Sequence, residues 1–224
     1  LDAIIAHAVQ LAEDGADIID IGAGSTRPGA TPLHAEQEWQ RLAPVLSALK
    51  HIDWQGKAYR PQISIDSYHP QTIERSIDWG AHWINDVSGR WAGHFLPQCP
   101  ELKWVLMRPK TAPLPESGPH CIQACLQWAN TQYEALSALG VSTANLAFDP
   151  GIGFGCNAQQ SYALLGHLQQ LKKLPMPLYI GHSRKSFLAH YSTQTADQRD
   201  PETLAVSLHC ANHGVDYLRV HQVA

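Results

Sequence analysis

The sequence predicts an α/β fold, a TIM (β/α)8 barrel, and three observations lead there. Short apolar runs alternate with helix-length stretches along the chain. The runs are near-continuously apolar, the pattern of strands covered on both faces in a parallel sheet. Polar residues gather at their C-terminal ends: Asp20, Asp66, Asn85 with Asp86, Asp149, and Arg219 with His221. An open doubly wound sheet would collect such groups at one switch point, whereas a barrel brings every strand end to one mouth.

Taken in order, residues 1–15 place Ile4, Ile5, Ala8, Val9, Leu11 and Ala12 near helical spacing, with Gly15 as the cap. Strands are then expected at 16–22, 62–67, 83–88, 103–107, 146–149, 177–181 and 216–221. Helices are expected at 36–49, 70–79, 122–139, 159–171 and 201–213, two of them opening on a proline, Pro70 and Pro201, which suits a first helical turn. Loop 111–119 (TAPLPESGP) is short for a linker and reads as a strand-to-helix connection. Seven strands are one short of a barrel, and the chain opens on Leu1, not Met, directly into a helix. The expectation is one barrel domain over 1–224, a fragment at both ends, with the first strand and the last helix outside it.

Composition narrows the function classes. A net charge of −4 and a pI near 6.3 give no footprint for nucleic acid or an anionic membrane surface. No apolar run reaches the roughly 20 residues of a membrane span, and no signal peptide is visible, so a cytoplasmic protein is expected. The cysteines Cys99, Cys121, Cys125, Cys156 and Cys210 are odd in number and lack a CxxC pair, which predicts reduced thiols and no zinc site.

Five segments carry chemistry. GAGSTRPGA (22–30) follows a strand; its glycines allow close backbone approach, while Ser25, Thr26 and Arg27 suit an anion or carboxylate. Asp66 in SIDS and Asn85–Asp86 in the next unit can read the donor and acceptor edge of a flat heterocycle, with helix capping the rival role for Asp66. DPGIGFG (149–155) holds Asp149 at a strand end and presents Phe154 from a glycine-rich turn. GHSRKS (181–186) sets Arg184 and Lys185 among hydroxyls. Arg219 and His221 lie two apart on the last strand, so both are expected to face one way, as a phosphate clamp. Together these residues describe a polar heterocycle bearing a phosphate tail.

In this order, GAGSTRPGA, SIDS, INDVSG, DPGIGFG, SRKS and RVH resemble the dihydropteroate synthase family along nearly the whole chain. The resemblance implies condensation of 6-hydroxymethyl-7,8-dihydropterin diphosphate with p-aminobenzoate, with Mg²⁺ as cofactor. It implies that Asp66, Asn85, Asp149 and Lys185 hold the pterin, and that Arg219 and His221, with Thr26, bind diphosphate. Thr26, Arg27, Pro28, Phe154 and Ser186 would shape the p-aminobenzoate pocket, the sulfonamide site of the family. Asp66, Asp149, Lys185, Arg219 and His221 would carry catalysis. The metal ligand, an Asn, would lie in the first strand, outside this chain. A homodimer and a fused pterin kinase domain are further implications. The chain departs from the family pattern at Gly24, where an acidic residue is usual, at Cys156, where Lys often stands, and at Arg108, where His is usual. A catalytically silent pterin-binding homologue and a pterin-dependent methyltransferase are the alternatives.

Overall fold

The structure, a computed structural model, describes residues 1–24, 31–54, 60–115, 118–190 and 193–224. They fall into two compact units, Leu1–Asp86 with Val223–Ala224, and Val87–Gln222.

The first unit is built on α1 (Asp2–Glu13), β1 (Ile18–Ile21), α2 (Ala35–Lys50), β2 (Gln62–Asp66), α3 (Pro70–Trp79) and β3 (Trp83–Asp86). Its strands pair in parallel, with Ile19 opposite Ile63, Asp20 opposite Ser64, and Asp66 opposite Asn85. Ile19, Ile63, Ile65 and Ile84 are buried along the strands; Leu42, Leu46 and Leu49 of α2 and Ile73 of α3 are buried too. In α2 those leucines sit four and three apart, so one helical stripe carries the burial. Helix α3 begins on Pro70, whose missing N–H would find no partner there anyway, and ends on Gly80 at φ 104°, a left-handed cap that a Cβ would disfavour.

The second unit contains α4 (Ala92–Phe95), β4 (Lys103–Met107), α5 (Pro119–Ala138), β5 (Leu146–Asp149), α6 (Ala158–Gly166), α7 (Leu168–Leu171), β6 (Tyr179–Gly181), α8 (Asp200–Asn212) and β7 (Tyr217–Arg219). Here β4 pairs with β5, a bridge from Phe148 to Leu178 extends the ladder, and β6 pairs with β7, all in parallel. Trp104, Leu106, Ala147, Phe148 and Ile180 form the strand layer of the core, with Ile122, Leu164 and Leu168 from the helices.

Helix boundaries match the pattern closely, with three informative differences. The stretch expected as one helix over 159–171 breaks at His167, whose ring nitrogen Nδ1 lies 2.7 Å from the Ala163 carbonyl. That carbonyl is the one a continuing helix would offer to the His167 amide, and Gly166 lowers helix propensity beside it. Helix α4 was not expected, because four residues are too few to show a period. Helix α5 starts at Pro119, three residues before the expected start.

Phe148 has no solvent exposure, and its ring centroid stands 6.1 Å from that of Trp128 on α5. Phe148→Ala is expected to lower the unfolding free energy by about 3–5 kcal/mol, read as a reduced urea midpoint with an unchanged slope.

Candidate active site

Within the first unit, polar groups meet at the C-terminal ends of three paired strands. The Asp20 carboxylate accepts from the Ser64 hydroxyl at 2.5 Å and from the Asn85 amide at 3.2 Å, so one acid ties β1 to β2 and β3. Asp66 ends β2, and Gly22 lies against it; a Cβ on Gly22 would sit 3.2 Å from the Asp66 Cβ. The cap position of α3 is His69, three residues past Asp66, and its amide donates to the Ser67 hydroxyl at 3.2 Å. Ser67 in turn donates to the buried carboxylate of Glu38 at 2.6 Å. Thr26, Arg27 and Pro28 lie outside the described residues.

Within the second unit, the predicted residues converge on Gly181. A Cβ at Gly181 would stand 3.6 Å from Asp149 Oδ2, 3.8 Å from Lys185 Nζ and 3.9 Å from Arg219 Cβ. The absence of a side chain there keeps open the space between an acid and a cation. Asp149 is buried, and its Oδ1 accepts the Gly151 amide at 2.7 Å. That bond needs the tight turn that Gly151 makes at φ 79°. Lys185 donates to the Ile152 carbonyl at 2.6 Å, so its ammonium rests on the same turn. Phe154 lies under the Lys110 ammonium, 4.3 Å from the ring centroid, and Ser186, itself exposed, opens a 3-10 turn whose Phe187 and Leu188 are buried.

Two expectations need refinement. Strand β7 ends at Arg219, so the two-residue alternation that would aim His221 alongside it does not extend that far. His221 is placed instead by Ser183, whose hydroxyl lies 2.8 Å from His221 Nδ1 and accepts the His221 amide at 3.2 Å. Arg184 does not share the Lys185 contact. It adopts φ 57°, donates twice to Asp200 at 2.7 Å, and gives its amide to the Thr203 hydroxyl at 3.1 Å.

Burial pushes the Asp149 carboxyl above the usual carboxylate range. Lys185, the Gly151 amide, Arg219 and Arg108 each pull it back, but desolvation prevails. The guanidinium hydrogen-bonded to Asp200 holds that acid low. Burial lowers His182, which keeps it neutral while its Nε2 sits 3.1 Å from the Thr203 carbonyl.

Asp20, Glu38, Ser183 and Arg108 belong to these networks and were absent from the predicted site. For Asp20 the signal was its strand-end position; Ser183 stood beside the two cations. Arg108 stood at the end of an apolar strand and departed from the family pattern, whereas Glu38, within a helix, carried no local signal.

Comparison with known proteins shows the family. The pterin-binding enzyme family matches residues 1–221. A folate synthesis bifunctional protein of Chlamydia trachomatis is 39% identical over 230 residues, covering 97% of this chain and 50% of its own length. The chain therefore spans about half the length of the bifunctional relatives it matches. The dihydropteroate synthase of Anaplasma phagocytophilum, solved with bound 6-hydroxymethylpterin-monophosphate, superposes with a TM-score of 0.89 at 32% identity, covering 99% of this chain and 89% of that one. The Xanthomonas albilineans dihydropteroate synthase, solved with 4-aminobenzoic acid, gives 0.88 at 32% identity, with 100% and 80% coverage. Likeness of this degree places the chain in the α/β TIM-barrel class that the strand-end pattern predicts.

Because the folded state raises the pKa of Asp149, its ionisation opposes folding at neutral pH, and that opposition fades as pH falls through the folded value toward the unfolded one, 3.8. Asp149→Asn is therefore expected to raise the melting temperature of the ligand-free protein at pH 7. The gain should shrink toward pH 4, as thermal unfolding followed by circular dichroism across that range would show.

Proposed function

The chain belongs to the pterin-binding enzyme family, within its dihydropteroate synthase branch, and from that we propose that it is a transferase of folate biosynthesis. It condenses 6-hydroxymethyl-7,8-dihydropterin diphosphate with p-aminobenzoate to give 7,8-dihydropteroate and diphosphate. The observation that carries the proposal is the meeting of Asp149, Lys185 and Arg219 around the bare Cα of Gly181. A buried carboxylate beside two cations suits a heterocycle with amino groups on one edge and an anionic leaving group on its arm.

In the reaction the C–O bond from the pterin methylene to diphosphate breaks ahead of bond formation by the aryl amine nitrogen. The amine then loses a proton, and the electron pair of the broken bond leaves with the diphosphate. Asp66, Asn85 and Asp149 accept from and donate to the pterin edge, and the carboxylates stabilise cationic character on the ring as the leaving group departs. Lys185 approaches the ring from the Ile152 side. Arg219 and His221 bind the diphosphate, the imidazole being oriented by Ser183. The family resemblance assigns Thr26 to the diphosphate too, and assigns Thr26, Arg27, Pro28, Phe154 and Ser186 to p-aminobenzoate, where sulfonamides compete.

Mg²⁺ belongs to this proposal as the counter-ion of the diphosphate substrate. Among the described residues no group of three or more His, Cys, Asp or Glu could hold a metal ion, so no step is assigned to it. A fused pterin kinase domain in the whole protein is part of the proposal; the bifunctional relatives, of which this chain covers about half, support a second fused domain. Homodimerisation and a cytoplasmic location complete the proposal; no described helix is long and apolar enough to cross a membrane.

Full-length protein given the pterin diphosphate, p-aminobenzoate and Mg²⁺ is expected to release diphosphate and form dihydropteroate. Pterin binding without release would leave a binding homologue in place of an enzyme. Gly181→Ala, which adds only ordinary van der Waals contacts, is expected to fold normally yet raise KM for the pterin diphosphate. A melting temperature equal to wild type with unchanged KM would remove Gly181 from the site.

A further inference from the structure

The residue that follows β4, Arg108, has no solvent exposure, which is unusual for a side chain that stays charged. Its donors are shared between two loops. On the turn after β5, Nε donates to the Pro150 carbonyl at 3.0 Å and Nη2 to the Cys156 sulfur at 2.8 Å. On the loop after β4, Nη1 donates to the Ala112 carbonyl and, at 3.5 Å, to that of Pro109. The backbone repeats the link, because the Arg108 amide donates to the Asp149 carbonyl at 2.9 Å.

The two loops are also packed to backbone contact. A Cβ on Gly151 would stand 3.1 Å from the Arg108 carbonyl, and one on Gly155 would stand 2.9 Å from the Lys110 Cα. Asp149 heads this turn, and between the glycines lie Ile152, beneath the Lys185 ammonium, and Phe154, beneath Lys110. A guanidinium suits this place because its planar fork can donate in several fixed directions at once, where an ammonium is a point charge. Removing it would leave the Pro150 carbonyl, in the buried turn, and the part-buried Ala112 carbonyl without this donor.

We propose that Arg108 is a positioning residue of the active site, clasping the Asp149–Cys156 turn to the loop after β4 so that Asp149 and the Ile152 carbonyl are set before the pterin arrives. It touches no substrate; it acts through the turn. The inference rests on the proposed function for what the turn binds, but not for the clasp itself.

The test uses full-length protein carrying Arg108→Met, Arg108→Lys, Cys156→Ser or Cys156→Ala. Amide hydrogen exchange across residues 151–156, with no substrate present, reads the clasp directly. Arg108→Met is expected to exchange there roughly tenfold faster or more, with the amides of β4 and β5 little changed. If the proposed reaction holds, the same variant should raise KM for the pterin diphosphate by roughly tenfold or more, as misplacement of a binding group does, while kcat moves less. Arg108→Lys keeps the charge but cannot bridge both loops, so it is expected to behave like the Met variant, and it carries the test should the latter fail to fold. Cys156→Ser retains an acceptor and should stay near wild type, with Cys156→Ala showing a smaller version of the Arg108 effect. Wild-type exchange in the turn for Arg108→Met or Arg108→Lys would overturn the proposal, as would a lowered melting temperature with KM unchanged in a protein that turns over. A wild-type protein that neither binds nor converts the pterin would end the functional reading, and the exchange data alone would then decide the clasp.

Discussion

The candidate site depends on one carboxylate, Asp149, set where water has been taken away. Burial raises its pKa. What opposes this is local and specific: the Gly151 amide on one oxygen, the Lys185 ammonium near the other, and the Arg108 and Arg219 guanidinia beyond. Each of these groups is held by contacts of its own. Lys185 rests on the Ile152 carbonyl, Arg108 on carbonyls of two loops, and the turn that supplies the Gly151 amide exists because that residue reaches φ 79°. The acid is thus balanced by a shell whose members fix one another, and such preorganised dipoles need not reorient when charge develops on a bound ligand.

The same economy runs through the first unit, where a single acid serves three strands. Asp20 accepts from Ser64 and from Asn85, so the amide proposed to meet the pterin has one of its donors already committed. Its direction is fixed by β1, two strands away in the ladder. Glu38 does similar work behind Asp66, taking the Ser67 hydroxyl at the point where the chain leaves β2 for α3.

Much of this was legible in the sequence, and the reason is periodicity. Strands with buried faces on both sides must be apolar throughout, and helices beside them must carry a stripe, so the element order could be read before any coordinate. The polar strand ends marked where a site would form, and Asp149, Lys185 and Arg219 do meet there. What could not be read is anything set by a contact between distant segments. Arg108 looks like the polar edge of an apolar strand until its guanidinium is seen against Cys156, 48 positions on. Arg184 and Lys185 look alike as adjacent cations; only the αL backbone at Arg184 sends one toward Asp200 and the other toward Ile152. His221 was assigned to a strand that ends two residues earlier, since strand ends are decided by pairing, not by composition.

The clasped turn after β5 has an evolutionary corollary. Most of its fastening points, at Pro150, Ile152 and the facing Ala112, are carbonyl oxygens, which every residue type supplies alike. Natural selection acting on such a turn has little hold on the spelling of those positions beyond their fit in the core, but a strong hold on the number of residues between them. Homologous chains should therefore hold the length of this stretch, with side-chain drift confined to positions such as 152 and 112 where only a carbonyl is asked for, since Gly151 and Gly155 are fixed by backbone geometry and close contact.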